Sequence, residues 1–283
     1  MCTTPKERFV CFSILGSTIY NLNMVLRFNR KPSFVAYLTC GDPDLRTSRE
    51  VALAAISAGA EVIELGVPFS DPVADGPVIQ RASERALRNG VSLEQILKVA
   101  AEIRRESDAG LIVFTYLNPI LRMGMEEFAE RAAACGVDGA LVTDLPVEEA
   151  DEYLRLMRAR NLATVFLAAP TSTDERLKRI AEVSTGFVYA VSRTGVTGAR
   201  RDLTDDAQKL VKRLRRFTQL PIAVGFGISE PQQFTAVGEF ADAAVVGSAI
   251  VQTIESNPRK EAQAVAELIT QLSAVSPQLS VKP

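Results

Sequence analysis

The chain has 283 residues, 47% of them hydrophobic and 23% charged, with 32 basic against 34 acidic side chains for a formal net charge of -2. That is enough apolar material for one large domain or two ordinary ones, and the balanced charge gives no electrostatic reason to expect nucleic acid or an anionic membrane surface as a partner. No histidine is present, which removes the commonest general base and metal ligand and leaves proton transfer near neutral pH to carboxylates, Tyr, Lys or Cys.

Residues 1–30 read as an N-terminal arm. The apolar run Phe9 to Ile19 is broken by Ser13, Gly16 and Ser17 and has few flanking positive charges, so it suits neither a signal peptide nor a membrane span; Met24 is an alternative start. From Phe34 the chain alternates apolar, β-branched runs with helical patterns about eight times. The strand candidates are Phe34 to Thr39, Glu61 to Leu65, Leu111 to Tyr116, Gly139 to Thr143, Ala163 to Leu167, Gly186 to Val191, Pro221 to Val224 and Ala243 to Val246. Between them the helical patterns run over Leu45 to Ala58, Met125 to Ala134, Glu148 to Arg160, Asp174 to Val183, Asp205 to Phe217 and Pro231 to Val237, with Thr173 and Thr204 or Asp205 as caps. The segment after the second strand is too long for one helix and divides at Asn89-Gly90 into Pro77 to Arg88 and Ser92 to Ser107. A short helix from Ser248 and another over Arg259 to Leu272 close the series. Residues 31–275 are therefore expected to form a single (β/α)8 barrel with an extra helix after strand two and another at the C-terminus, followed by a loose tail over 276–283. The alternative, an open doubly wound sheet, lacks a topological switch signal here.

Chemistry gathers at the predicted carboxyl ends of the strands. Glu64 ends an apolar run where a carboxylate is costly unless used. The twelve residues from Gly66 to Pro77 that follow hold three prolines, two aspartates and two glycines, too restricted for helix or ladder and hence a shaped loop. Glu64 and Asp75 bracket it as an acid/base pair. Desolvation is expected to raise the pKa of Glu64, while Asp75, on a more open loop, stays ionised. Gly225-Phe226-Gly227 after strand seven and Gly247-Ser248 after strand eight fit an anion site built on free backbone N–H groups. Ser192 to Gly198 after strand six can cover it, with Gly198 near the phosphate. No Lys or Arg lies in the turns at Gly227 and Gly247, so a phosphate ester would be held by neutral N–H groups and Ser248. Tyr37, Tyr116, Leu141, Leu167, Tyr189 and Phe226 sit at strand ends and could line a flat apolar pocket. The prolines of Pro68 to Pro72 and Asp144-Leu145-Pro146 present fixed shapes suited to docking. Cys2, Cys11, Cys40 and Cys135 have no CxxC or zinc spacing, which fits a reducing compartment, the cytoplasm.

Six motifs together resemble the tryptophan synthase α subunit family: Tyr-Leu-Thr-Cys-Gly-Asp-Pro (37–43), Glu-Leu-Gly-Val-Pro-Phe-Ser-Asp-Pro-Val-Ala-Asp-Gly-Pro (64–77), Asp-Leu-Pro (144–146), Ser-Arg-Thr-Gly-Val-Thr-Gly (192–198), Gly-Phe-Gly-Ile (225–228) and Gly-Ser-Ala-Ile-Val (247–251). The resemblance implies a barrel that cleaves indole-3-glycerol phosphate to indole and glyceraldehyde 3-phosphate by a retro-aldol reaction. It implies no cofactor of its own, and a β subunit in an α2β2 complex that carries pyridoxal phosphate and receives the indole. By the same resemblance Glu64 is the acid/base, Asp75 the acceptor of the indole N–H and Tyr189 a hydroxyl near both. Gly198, Gly227, Gly247 and Ser248 correspond to the phosphate site. Arg193 and Thr197 belong to a closing loop, in which Thr197 would meet Asp75. Pro68, Asp71, Pro72 and Pro146 face the partner. The family's short opening helix is not recognisable in residues 1–30. Two rival readings remain: another phosphate-binding barrel that isomerises or transfers a group, and a non-catalytic activator of a β subunit.

Overall fold

The computed structural model describes residue 26 and residues 28–191, 200–225 and 227–274, with 200–204 described along the backbone only. Eight parallel strands close in sequence order: β1 (Ser33–Thr39), β2 (Val62–Gly66), β3 (Gly110–Thr115), β4 (Gly139–Val142), β5 (Ala163–Ala168), β6 (Val188–Val191), β7 (Ile222–Gly225) and β8 (Ala243–Val246). β8 pairs back onto β1, from Ser33 opposite Ala243 to Ala36 opposite Val246, so the barrel is closed and the open sheet is excluded. The strands are apolar on both faces because both are covered, one by helices and one by the barrel's own interior.

The outer ring is α1 (Leu45–Ser57), α2 (Pro77–Arg88), α3 (Leu93–Glu106), α4 (Leu117–Met123), α5 (Met125–Ala134), α6 (Asp151–Ala159), α7 (Asp174–Val183), α8 (Arg200–Leu214), α9 (Pro231–Gly238), α10 (Ser248–Ser256) and α11 (Glu261–Ser273). Local chemistry starts several of them. Asp44 accepts the Thr47 N–H at 2.7 Å ahead of α1, Ser92 and Gln95 form a reciprocal box at α3, and Thr173 caps α7. Thr204 and Asp205 are not caps: α8 begins upstream at Arg200 and contains both, because its charged first turn carries no apolar periodicity to mark the start. α4 went unread because Asn118-Pro119 looks like a turn; the proline in fact falls in the helix's first turn, where its missing N–H costs nothing. The pattern over 148–160 divides into a 3-10 turn (Val147–Glu149) and α6.

Inside the barrel Leu26 packs with Val35, Val62, Ile112, Leu141, Val165 and Phe187, and the Phe28 ring meets Phe187 edge-on at 5.9 Å. These two residues of the stretch read as an arm thus fill the end where the strands begin; residues 1–25 and 275–283 lie outside the described residues. At that same end three acids, each just ahead of a strand, are fully engaged. Asp138 accepts the Leu111 N–H at 2.8 Å and Arg104 at 2.6 Å. Asp242 accepts the Ile222 N–H at 2.8 Å and pairs with Arg215. Glu61 accepts the Ser33 hydroxyl at 2.8 Å and the Asn29 N–H at 2.7 Å. No helix among the described residues is long and apolar enough to cross a membrane.

Candidate active site

Register decides where Glu64 points. It stands between Tyr37 on β1 and Ile112 on β3, and Ile112 belongs to the interior cluster, so Glu64 also faces into the barrel. The side chain is 0% exposed and neither carboxylate oxygen has a hydrogen-bond partner. Burial disfavours the anion and pushes the carboxyl up to about 8. At neutral pH Glu64 is mainly the neutral acid.

Asp75 reaches the site from the loop between β2 and α2. The loop is built of tight turns, with the Val73 N–H donating to Asp71 O at 2.9 Å and the Asp75 N–H to Pro72 O at 3.0 Å. Gln80 ties back to Asp75 O at 2.9 Å. Tyr116 clamps it from the end of β3: its ring stacks on Phe69 at 4.9 Å, and its hydroxyl accepts the Ala74 N–H at 3.0 Å and donates to the Asp75 carboxylate. Asp75 is half-buried, less open than the sequence suggests, and burial raises its carboxyl to about 6 against the opposing Tyr116 hydrogen bond. Between these two values Asp75 is a carboxylate while Glu64 is an acid.

Two phenols complete the wall. Tyr37 and Tyr189 are both pushed well above the ordinary tyrosine range, by burial first and then by the negative potential of nearby Asp75 and Glu64. Each lies across a neighbouring strand where only glycine fits: a Cβ on Gly66 would collide with the Tyr37 hydroxyl, and one on Gly225 with that of Tyr189. Leu141 is wholly buried in the interior cluster and Leu167 packs against it from above. The Phe114 ring sits edge-on to Tyr37 at 5.1 Å. Sequence reasoning passed over Phe114; counting by two from Ile112 would have turned it inward.

The candidate anion end is built from backbone and Ser248. Gly247 precedes α10 without any side-chain cap, so among the described residues no side chain caps the first N–H groups of that helix, and Ser248 is exposed at its first position. Gly227 has φ +78, and its absent Cβ would meet nothing within 4 Å, an open turn that suits glycine. Arg193, Thr197, Gly198 and Phe226 lie outside the described residues. Pro68 is buried, Pro72 and Pro146 are half-buried and Asp71 is exposed. Beside them Val73 is 87% exposed and Leu121 50% exposed, two apolar side chains on the mouth that the sequence reading did not single out.

Residues 25–279 match the profile of the family described as Tryptophan synthase alpha chain. The Tryptophan synthase alpha chain of Solibacter usitatus is 52% identical over 236 residues, covering 83% of this chain and 88% of that one. That of Neisseria meningitidis serogroup B is 47% identical over 241 residues, covering 85% and 92%. Among solved structures the tryptophan synthase A-subunit of Pyrococcus furiosus superposes with a TM-score of 0.81 at 41% identity, covering 87% of this chain and 99% of that one. A tryptophan synthase from M. tuberculosis gives a TM-score of 0.79 at 35% identity, covering 88% and 94%. With a closed barrel and this likeness along most of its length, the chain belongs to the tryptophan synthase alpha chain family.

Proposed function

We infer that Glu64 is the proton shuttle and Asp75 the fixed anion in the reaction this family of lyases performs in tryptophan biosynthesis, the cleavage of indole-3-glycerol phosphate to indole and glyceraldehyde 3-phosphate. The neutral Glu64 carboxyl gives its proton to indole C3, and the positive charge spreads to the ring nitrogen. Asp75 accepts that N–H and stabilises the cation. Glu64, now a carboxylate, takes the proton from the hydroxyl on the carbon attached to C3. The carbon–carbon bond breaks, its electrons restore the indole ring, and the alcohol carbon becomes the aldehyde. Glu64 is protonated again and no cofactor enters the cycle. The observation that carries this reading is the split between the two acids, with an unpartnered Glu64 near 8 and Asp75 near 6. The two phenols and Phe114 would hold the ring, while Gly227, Gly247, Ser248 and the covering Gly198 would hold the phosphate.

The partner is a β subunit, and we assign the α2β2 arrangement and the docking of its pyridoxal-phosphate-carrying chain to the mouth face. Support comes from exposed Val73 and Leu121 beside the proline-rich loops and from a Pyrococcus furiosus relative described as a tryptophan synthase complex. Cytoplasm is the compartment we propose, consistent with free thiols at Cys40 and Cys135. The test is an assay of the isolated chain with indole-3-glycerol phosphate, then with a cognate β subunit. Indole released by the parent and enhanced on mixing supports the assignment; no indole under either condition overturns it in favour of a non-catalytic activator.

A further inference from the structure

We propose that Arg85 is a positioning residue that sets the spacing between Asp75 and the phosphate-binding end of α10, an inference that rests on the site assigned above. Three separate elements carry parts of that site, and one guanidinium holds all three. Arg85, in the third turn of α2, places Nε and Nη2 each 2.8 Å from the two oxygens of Asp42, in the loop leaving the strand of Tyr37. Its remaining nitrogen, Nη1, is 2.7 Å from Glu255 in the last turn of α10. Arg81, one turn earlier on α2, reinforces the same link with Nη2 at 2.9 Å and Nε at 3.2 Å from Glu255. Asn89 adds a bond to Pro43 O at 2.6 Å.

The arrangement exceeds what stability alone requires. Asp42 is 3% exposed and is already satisfied by a bidentate arginine. The third arm commits the guanidinium to α10 as well, and the network holds the Glu255 carboxyl down at about 2. α2 begins directly after Asp75-Gly76, and α10 begins at Ser248. Both helices are stiff over this length, so a shift at the braced turns displaces their N-terminal ends. Beneath the brace Val78, Ile79 and Ala82 of α2 share one apolar cluster with Tyr37 and Val251 of α10. A substrate with an indole at one end and a phosphate at the other must span the two helix starts, and a misplacement of about 1 Å can cost roughly a hundredfold in rate. Lysine has the charge but not the planar fork that serves both carboxylates at once.

Arg85→Lys and Glu255→Gln test this, the second leaving the Asp42 pair intact so that the β1 loop keeps its support. Three ligands are titrated calorimetrically: glycerol 3-phosphate, indole, and an indole joined to a phosphate by a three-carbon chain. Both variants are expected to bind each single-ended ligand within about twofold of the parent, and to lose roughly tenfold or more for the two-ended ligand and in kcat/KM. Unchanged affinity for the two-ended ligand, or an equal loss for all three, overturns the positioning role. Failure of the underlying site reading looks different: the parent itself would not bind glycerol 3-phosphate, or Gly247→Asp would leave that binding intact.

Discussion

The two ends of the barrel treat acidic side chains in opposite ways. Where the strands begin, Asp138, Asp242 and Glu61 each accept a backbone N–H and pair with an arginine. They staple one βα unit to the next, and their charge is matched where it sits. Where the strands end, Glu64 has no partner for either oxygen, and Asp75 has its carboxyl raised by burial. The same residue types therefore tie strand starts together at the base, while at the mouth burial raises both carboxyls and only Asp75 is given a donor, the Tyr116 hydroxyl; the roles proposed above for Glu64 and Asp75 rest on that difference. Burial without a donor is what raises the Glu64 carboxyl toward neutral pH.

The largest expected effect comes from removing the proton at the mouth. Glu64→Gln keeps the shape, so turnover of indole-3-glycerol phosphate is expected to fall by roughly a hundred- to ten-thousandfold with substrate still bound. Asp75→Asn is expected to be severely impaired as well, and Asp75→Glu to keep some activity because the charge survives. The parent's kcat/KM should describe a bell, rising as Asp75 ionises near 6 and falling as Glu64 loses its proton near 8. Steady-state assays across pH check this: near-parental turnover by Glu64→Gln, with mass spectrometry showing the glutamine intact, removes Glu64 from the mechanism.

Glu64 also makes a prediction about stability, on the order of a few kcal/mol. Glu64 titrates near 4.5 when unfolded and near 8 when folded. Between those values the folded state binds more protons, so stability is lost as pH rises from the first to the second and is flat beyond. Glutamine has no such titration. Chemical denaturation at pH 5 and pH 9 should show Glu64→Gln gaining on the parent at the higher pH; an identical gap at both would mean that the Glu64 carboxyl is not desolvated as described.

At the base the expected change is in stability rather than rate. Asp138→Ala removes the acceptor of the Leu111 N–H and of Arg104 Nη2, although Arg104 keeps Gly136 O and Ser107 O, and is expected to cost about 1 to 3 kcal/mol. Turnover per folded molecule should hold within about twofold, since no atom of the staple reaches the mouth. A drop in kcat without a change in melting temperature would erase the division of labour between the two ends.

Much of this division was legible before the structure. Eight apolar runs alternating with helical patterns gave the barrel, and a carboxylate ending one of them, in a chain with no histidine, marked Glu64. Propensity could not see the clamp on Asp75, because Tyr116 lies about forty residues further along the chain and is brought to Ala74 only by the pairing of β2 with β3. The brace from Arg85 to Asp42 and Glu255 spans 43 and 170 residues and was hidden for the same reason. The staples escaped because an acid ahead of a strand looks like any turn residue until its neighbour's N–H is placed. Boundaries failed where charge masked periodicity, as at the start of α8.

The smallest predicted effect probes the proposed anion end, where the mouth is read as working with backbone N–H groups and Ser248. Two glycines are available, and they are not equivalent. Gly227 has φ +78, so alanine there adds roughly 1 to 2 kcal/mol of backbone strain whatever the ligand does. Gly247 has φ -115, and an added Cβ would stand 3.6 Å from Tyr37 Cβ and Cδ1, an ordinary contact. Gly247→Ala should therefore alter stability by less than about 1 kcal/mol, much of it the lesser merit of alanine ahead of a helix. A phosphate seated on the first N–H groups of α10 would be pushed outward by the methyl and would lose part of a charge-assisted bond. Affinity for glycerol 3-phosphate should weaken and KM for indole-3-glycerol phosphate should rise, each by about tenfold, or ~1.4 kcal/mol, with kcat at saturation little changed. Titration calorimetry and saturation kinetics on a variant with parental melting read this directly. If neither constant moves, the phosphate does not approach Gly247, and the anion end of the mouth must be assigned to another set of N–H groups.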